Sequence, residues 1–276
     1  MTTILPAPDL DSITVFAGEL ADAASRITLQ YFRKPLDVIN KAEGEAYDPV
    51  TCADQEAEAE IRRLIAARFP EHGILGEEHG EEKGGNDWVH RCSWVIDPVD
   101  GTRAFISGLP LWGTLIAFHD GDRPAVGVID HPAVGERFVG SPRGAFFTNA
   151  KGETRAIRTR SCASLADAIL STTDPDLFAP GEEKTLYDRV AGKVRLRRYG
   201  YDCYAYAMLA AGFLDVVVEA GLKPYDVQAI IPVVEAAGGV MTTWDGGPAE
   251  RGGRIIAAGD PRVHAEALKI LQDAAD

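Results

Sequence analysis

The chain has 276 residues, of which 46% are hydrophobic and 25% charged, a composition typical of globular proteins. At roughly 150 residues per domain, this length predicts one or two domains. Its 42 Asp and Glu residues outnumber the 28 Lys and Arg residues, which gives a formal net charge of −14. Because nucleic acids and anionic membranes bind basic faces, we expect neither as a partner. Taken alone, the charge also argues against an anionic substrate.

Membrane and secretion signals are not expected. No apolar run approaches the roughly 18 residues that a membrane-spanning helix needs. The N-terminal stretch lacks a basic segment followed by an apolar one, so we expect no signal peptide. The scattered cysteines, which form no Cys-x-x-Cys pair, favour neither a zinc knuckle nor a disulfide framework. This pattern predicts a reducing, cytoplasmic location.

Hydrophobic periodicity predicts helices and then strands in the first half of the chain. Apolar residues at helical spacing predict helices over residues 10–32 and 51–69. Residues 80–86 are rich in Gly and charge, and they predict a polar loop. Short apolar runs, the last three arranged as an antiparallel meander, predict strands over residues 74–76, 93–97, 115–118, 125–129 and 137–139.

Strands and helices alternate after about Lys151, which predicts an α/β region. The predicted strands lie at 156–159, 170–172 and 194–197, and the predicted helices at 182–190, 204–212, 227–237 and 261–274. We therefore expect an α+β region over residues 1–150 and an α/β region over residues 151–276.

The segment Trp-Val-Ile-Asp-Pro-Val-Asp-Gly-Thr at 94–102 contains the densest group of reactive residue types. Asp97 ends an apolar strand, and a predicted turn separates it from Asp100. Two carboxylates that leave one turn converge on one point, where they need a cation between them. Gly101 and Thr102 would then open a helix whose backbone N–H groups cradle an anion. Alone, the segment is equally typical of a surface turn.

Further acidic residues stand at the ends of predicted elements. Glu77 follows the strand at 74–76, where a solvated loop charge is the alternative interpretation. Asp54 lies in the predicted first turn of the second helix, where it would also compensate the helix dipole. Asp226 precedes an apolar helix, and a plain N-cap would explain it as well.

Three motifs together resemble the inositol monophosphatase family: Gly-Glu-Glu at 76–78, WVIDPVDGTRAF at 94–105 and YDVQAIIPVVEAAGGV at 225–240. They occur in the family's order and at compatible spacing, within a match over about residues 41–245. The resemblance implies a metal-dependent phosphate monoester hydrolase. It also implies a fold of mixed α+β and α/β class, the layered α-β-α-β-α sandwich of the inositol monophosphatase and fructose-1,6-bisphosphatase-like sugar phosphatases, with the active site between the halves.

The resemblance also assigns roles to residues. Two or three Mg²⁺ ions would be held by Glu77, Asp97, Asp100, Asp226 and the carbonyl oxygen of Val99. Asp97 would bridge two ions, Asp48 and Thr102 would orient the attacking water, and Glu77 would be both ligand and catalytic. Asp54 matches the family pattern without a clear role. Mg²⁺ prefers oxygen ligands, and paired ions clamp the attacking and leaving oxygens of a phosphate ester. Bound cations would also reverse the local charge, so the net charge no longer excludes an anionic substrate.

Substrate preference is predicted from the second half. Glu219 stands at a strand end, and Asp202 occupies a position where inositol enzymes usually have a small residue. Two carboxylates there would suit a cationic, nitrogen-containing substrate, although a helix cap explains Asp202 as well. Gly101, Thr102 and Arg198 complete the expected substrate contacts. The basic cluster around Arg198 would reach the site of a neighbouring subunit in a homodimer.

The segments GTRAFISGLPLWGTLIAF at 101–118, RRYGYDCYAYAM at 197–208 and GLKPYDVQAIIPVVE at 221–235 more closely resemble the histidinol-phosphate phosphatase branch. The resemblance therefore implies hydrolysis of L-histidinol phosphate, a step of histidine biosynthesis. The alternatives are an inositol-1-monophosphatase or a broad sugar-phosphate phosphatase. A nucleotide 3′-phosphatase is disfavoured by the residues after Asp-Gly-Thr, and a noncatalytic binding protein by the complete ligand set.

Overall fold

The computed structural model describes residues 9–35, 38–40, 49–82 and 92–273. Within them, helices and sheets stack in the order helix, sheet, helix, sheet, helix, which confirms the predicted layered sandwich. Asp48 and most of the predicted loop at 80–86 lie outside the described residues. Among the described residues, no helix is long and apolar enough to cross a membrane.

The helices begin and end close to the predicted positions. They are α1 Leu10–Tyr31, α2 Cys52–Arg68, α3 Thr102–Ile106, α4 Glu182–Ala191, α5 Cys203–Ala210, α6 Pro224–Val227, α7 Ile230–Ala236 and α8 Pro261–Gln272. The strands are β1 Ile39–Asn40, β2 Pro49–Val50, β3 Gly73–Gly76, β4 Gly80–Glu82, β5 Ser93–Asp100, β6 Gly113–His119, β7 Pro124–His131, β8 Glu136–Ser141, β9 Gly144–Thr148, β10 Thr154–Ala156, β11 Ile169–Thr172, β12 Leu196–Tyr199, β13 Val216–Leu222, β14 Val240–Thr243 and β15 Gly253–Ala258.

Two sheets organise the described residues, with β1 and β2 forming a separate short pair. The larger sheet has the strand order β10-β9-β8-β7-β6-β5-β3-β4, and it is antiparallel except where β3 runs parallel to β5. The smaller sheet has the order β12-β11-β13-β15-β14, with β11 parallel to both of its neighbours.

Three hydrophobic clusters fill the spaces between the layers. Helices α1 and α2 cover one face of the large sheet, where Phe16 of α1 and Ile61 of α2 share a cluster with Trp94 of β5. Helices α5 and α7 pack between the two sheets, and α4 and α8 cover the outer face of the small sheet. The central cluster joins residues from both halves of the chain, and β10 extends the large sheet past residue 150. The division at residue 150 stays a prediction.

Several predicted boundaries were wrong. The predicted strand at 156–159 is replaced by β10, and the one at 194–197 is shifted to β12. The predicted helix over 227–237 is divided into α6 and α7. Pro232 gives a physical reason, because it has no N–H to donate to the carbonyl of Gln228 in a continuous helix. Strands β1, β2, β9, β14 and β15 were missed, and β4 occupies residues 80–82 of the predicted loop at 80–86.

Candidate active site

A bulge in β5 brings two acidic side chains to the same side of the strand. Asp97 pairs with Leu115 on β6, and Asp100 pairs with Gly113, so β5 carries one extra residue between the two pairs. Residues three apart on a regular strand point to opposite faces, and one extra residue restores a common side. The predicted turn after Asp97 was therefore wrong, because the strand continues through the bulge to Asp100.

Asp226 reaches the same place from the other half of the chain. It lies in the first turn of α6, where Lys223 is the N-cap, and its Oδ2 accepts a hydrogen bond of 2.6 Å from the Lys223 backbone N–H. It is therefore not the N-cap itself. One carboxylate oxygen from each of Asp97, Asp100 and Asp226 lies within 4.8 Å of the others. This is a group of oxygen donors of the kind that holds a divalent cation.

Asp97 is the buried member of this cluster, and Asp100 and Asp226 are half-buried. Burial, followed by the charges of Glu77, Asp100 and Asp226, holds the pKa of Asp97 well above its usual range. Burial and the charges of Asp202 and Asp226 raise the pKa of Asp100 as well. Like charges at such short range are unfavourable without a compensating cation. The donor set and its charge thus fit a divalent metal ion.

Glu77 enters the site immediately after β3. Its backbone N–H donates a hydrogen bond of 3.2 Å to the carbonyl of Ile96 on β5, next to Asp97. Its side chain also lines the cleft and contributes to the raised pKa of Asp97 through its charge and a hydrogen bond. Asp97 therefore has three acidic neighbours, namely Glu77, Asp100 and Asp226.

Among the described residues, Asp54 places a carboxylate beside Thr102. The Thr102 Oγ1 lies 3.4 Å from Asp54 Oδ1 and 3.1 Å from the carbonyl oxygen of Val99. Asp54 accepts hydrogen bonds from the N–H and hydroxyl of Thr51, the N-cap of α2. Burial raises the pKa of Asp54 to about 6, although the hydrogen bonds from Thr51 act to lower it. The predicted partner of Thr102, Asp48, lies outside the described residues.

A cleft of about 310 Å³ is lined by Glu77, the three clustered aspartates and Thr102, together with further residues from the second half of the chain. Glu219, at the bulged end of β13, is buried in its wall. It accepts hydrogen bonds from the Thr172 hydroxyl at 3.1 Å and from the Thr173 N–H at 2.6 Å. Burial nevertheless raises the pKa of Glu219 to about 7. This side chain is held rigidly and is poised to ionise near neutral pH.

Asp202 also lines the cleft. It occupies the N-cap position of α5, but within the described part of the chain its side chain makes no capping hydrogen bond. The alternative of a plain helix cap is therefore not supported. Burial raises the pKa of Asp202 to about 6, and the charge of Arg103 opposes this shift. The side chain lies against Gly101, where a Cβ atom would approach its Cγ to 3.1 Å, and Gly101 has a φ of 82°. A side chain at position 101 would therefore strain the backbone, which has a positive φ, and would press against the Asp202 carboxylate.

Arg198 and Tyr206 differ from the expectations. Arg198 is exposed on β12 and donates to the Tyr201 hydroxyl at 2.8 Å, and it is not among the described residues that line the cleft. Its proposed reach into a neighbouring subunit stays a prediction. Tyr206 lines the cleft and was missed; its buried hydroxyl has no hydrogen-bond partner among the described residues. Its position one helical turn after Asp202 was the available signal.

Comparison with known proteins identifies the family. The sequence profile of the inositol monophosphatase family matches residues 9–275, nearly the whole chain. The chain belongs to the inositol monophosphatase family. An inositol monophosphatase from Zymomonas mobilis has a solved structure that is 40% identical, with a TM-score of 0.83 over 96% of this chain and 100% of that one. The predicted family and fold are thereby confirmed. The protein is a phosphatase of this family, and its acidic cluster could bind a metal ion.

Two further relatives with named activities are similar to most of this chain. The bifunctional phosphatase IMPL2 of Arabidopsis thaliana, described as chloroplastic, is 43% identical over 96% of this chain and 76% of its own length. A histidinol-phosphatase of Chlorobaculum parvum is 37% identical over 87% of each chain. Similar relatives thus carry names for more than one phosphatase activity.

Proposed function

We propose that this family member is a Mg²⁺-dependent phosphatase that hydrolyses L-histidinol phosphate to L-histidinol and phosphate. The convergence of Asp97, Asp100 and Asp226 in the cleft carries the hydrolase part of the proposal. The two carboxylates Asp202 and Glu219 in the same cleft support the cationic substrate. Relatives named histidinol-phosphatase support it further.

In this proposal, two or three Mg²⁺ ions are held by Glu77, Asp97, Asp100, Asp226 and the Val99 carbonyl. Bound Mg²⁺ would supply positive charge for the phosphate and lower the pKa of a water molecule. Asp48 and Thr102 would orient that water, as the family resemblance implies, and Asp54 would help to place the Thr102 hydroxyl, which lies 3.4 Å from its Oδ1. Asp54 is buried and is not among the described residues that line the cleft, so it would act through the Thr102 hydroxyl and not by contacting the water itself.

Asp202 and Glu219 would bind the nitrogen-containing end of the substrate. Both carboxyls have raised pKa values because they are buried, and a cationic group beside them would favour their ionised forms. A hydrogen bond to a charged group contributes about 1.5–3 kcal/mol. Discrimination between a cationic ester and an uncharged polyol ester would therefore arise mainly here.

The substitution Asp202→Asn tests this assignment because it keeps the shape and removes the charge. We expect kcat/KM for L-histidinol phosphate to fall roughly tenfold or more, with little change for inositol 1-phosphate. Asp188→Asn is the control, since Asp188 pairs with Lys184 on the surface of α4. An equal loss for both esters in the Asp202 variant would contradict the role in substrate selection.

An inositol-1-monophosphatase is the second candidate function. It is favoured by the Zymomonas mobilis structure, which is 40% identical. Under this alternative, Glu219 would accept hydrogen bonds from substrate hydroxyls and Asp202 would contribute little. Kinetics with both esters therefore separates the two functions.

We also propose that the protein forms a cytoplasmic homodimer. The edge strand β12 presents four exposed residues, among them Leu196 and Tyr199 at 46% and 42% exposure. An edge strand has unpaired backbone N–H and C=O groups that can pair with another chain, and these two side chains would add apolar contact area. Light scattering should give twice the chain mass of 29.7 kDa, and a monomer at micromolar concentration would contradict the proposal.

A further inference from the structure

Glu58 is a buried acidic residue that none of the roles above uses. It lies on α2 with a fully buried side chain and pairs with the Nε of Arg62 at 2.7 Å. Its two carboxylate oxygens also accept the backbone N–H groups of Glu78 at 2.8 Å and His79 at 3.1 Å. These are the two residues that immediately follow Glu77, so the carboxylate contacts the turn that presents Glu77 to the cleft.

Gly76, on the other side of Glu77, lies directly against the same carboxylate. A Cβ atom at Gly76 would approach Glu58 Oε1 to 2.2 Å and Oε2 to 2.7 Å. Because these distances are far shorter than a van der Waals contact, only glycine fits at position 76 while Glu58 stays in place. Glu58 is therefore packed against the end of β3 and bonded to the backbone just beyond it.

Arg62 extends this connection to the far end of the turn. Its guanidinium donates to the carbonyl of Gly80, the first residue of β4, and pairs with Glu82 at 3.3 Å. The turn from Gly76 to Gly80 is thus held to α2 at both ends. The backbone bond from Glu77 to Ile96 holds its middle to β5.

Stability alone does not explain such an arrangement. Taking a carboxylate and a guanidinium out of water is unfavourable, and well-packed apolar residues often replace a buried pair without loss of stability. The carboxylate of Glu58 instead contacts one segment specifically. It accepts two backbone N–H bonds from that segment, and Gly76 leaves room for it because glycine has no side chain. That segment carries a residue of the acidic site.

We propose that Glu58 is a positioning residue that fixes Glu77 relative to Asp97 and so sets the affinity of the site for divalent cations. Glu58 is not a catalytic residue, because it contacts the Glu77 turn from the side of α2. The inference rests on the proposed function in one respect, namely that Glu77 is a metal ligand.

Binding of Mn²⁺ alone, followed by the EPR signal of the free ion, tests this role without an activity assay. We expect Glu58→Gln to weaken Mn²⁺ binding roughly 10- to 100-fold, the range found when partners that orient a ligand are removed. The matched control is Glu60→Gln, because Glu60 lies on the same helix and pairs with Arg63 at the surface. Its Mn²⁺ affinity should equal that of the wild type.

Two further variants keep the outcomes distinct. Since Glu58 acts through Glu77, the double variant Glu58→Gln/Glu77→Gln should bind Mn²⁺ no more weakly than Glu77→Gln alone. A folded Glu58→Gln protein with wild-type affinity would overturn the positioning role while sparing the metal site. Wild-type affinity in Glu77→Gln would instead overturn the ligand assignment of the proposed function. If Glu58→Gln does not fold, Arg62→Lys, which releases the contact with Gly80, is judged by the same criteria.

Discussion

Asp97 illustrates how an active-site residue opposes stability when no cation is bound. Its pKa is held above the usual range by burial and by three neighbouring carboxylates. Asp97→Asn removes one negative charge, and asparagine can still accept the hydrogen bond from the Val99 N–H at 3.0 Å. In EDTA we therefore expect a higher Tm for the variant than for the wild type, together with loss of Mg²⁺-dependent phosphate release. Calorimetry and a phosphate assay measure the two effects.

The control for Asp97→Asn is a buried aspartate that has a cationic partner. Asp130 pairs with Arg137 at 2.7 Å, so Asp130→Asn should lower the Tm. A lower Tm for Asp97→Asn in EDTA would contradict the repulsion that is inferred at the carboxylate cluster.

Tyr206 provides a second prediction at this scale. A buried hydroxyl without a partner costs about 1–3 kcal/mol. Tyr206→Phe should therefore raise the free energy of unfolding of the ligand-free protein, as measured by urea denaturation. Tyr204→Phe should lower it, because the Tyr204 hydroxyl donates to Glu136 at 2.8 Å. Equal losses in both variants would show that the Tyr206 hydroxyl has a bonding partner in solution.

Individual site residues were predictable to different degrees. Asp97, Asp100 and Asp226 follow from motif order, and the structure brings them together. The contact between Thr102 and Asp54 was not predictable, because it depends on the packing of α2 against β5. The predicted pairing of Thr102 with Asp48 lies outside the described residues and stays a prediction. The contact between Glu58 and Gly76 likewise depends on a tertiary approach that no local pattern records.

Among the elements, α7 approaches the large sheet unusually closely at two glycines. A Cβ at Gly127 on β7 would lie 2.0 Å from the Ala229 carbonyl oxygen, and one at Gly140 on β8 would lie 2.3 Å from that of Pro232. Gly127→Ala should therefore lower the free energy of unfolding by about 1–3 kcal/mol or more. Urea denaturation measures this change.

Gly18→Ala provides a matched substitution with the opposite expectation. Gly18 lies inside α1, where the added Cβ meets its nearest neighbour at 3.7 Å. Alanine is favoured over glycine in a helix by about 1 kcal/mol, so this variant should be more stable. The packing interpretation would be wrong if both variants shifted stability in the same direction.

The sequence predicted best those elements in which apolar residues recur at a regular spacing. Helix α1 and the strands β6 to β8 show regular apolar spacing because each buries one face or both. The exposed strands β10 and β12 were displaced from their predicted positions because they bury little, so apolar residues do not mark their ends. The bulge in β5 was interpreted as a turn, since Pro and Asp favour both and only pairing with β6 distinguishes them.

At the scale of the whole molecule, the acidic site predicts a pH-dependent stability. Burial holds the pKa of Asp97 and Asp100 above the usual range and raises that of Glu219 to about 7. Such groups bind protons more tightly in the folded state, so their destabilising effect grows as the pH rises toward the folded pKa values. Buried histidines such as His131 act in the opposite sense, but only below about pH 6.5, where unfolded histidine becomes protonated.

In EDTA we therefore expect the Tm to fall as the pH rises from 6.5 through about 7, the folded pKa of Glu219. Saturating Mg²⁺ should reduce this slope, because a bound cation favours the ionised carboxylates. Calorimetry at several pH values with and without Mg²⁺ checks the expectation. A Tm in EDTA that stays constant or rises over this range would contradict it.

The net charge of −14 describes the surface of the molecule but not the chemistry of its cleft. The carboxylates that contribute to the acidic excess converge in the site, and with divalent cations they would attract a phosphate ester. The most direct measurement is kcat/KM of the wild-type enzyme for L-histidinol phosphate and for inositol 1-phosphate at saturating Mg²⁺. We predict a ratio of at least about tenfold in favour of L-histidinol phosphate, since one charged contact contributes that much. Equal values, or a preference for inositol 1-phosphate, would contradict the proposed substrate.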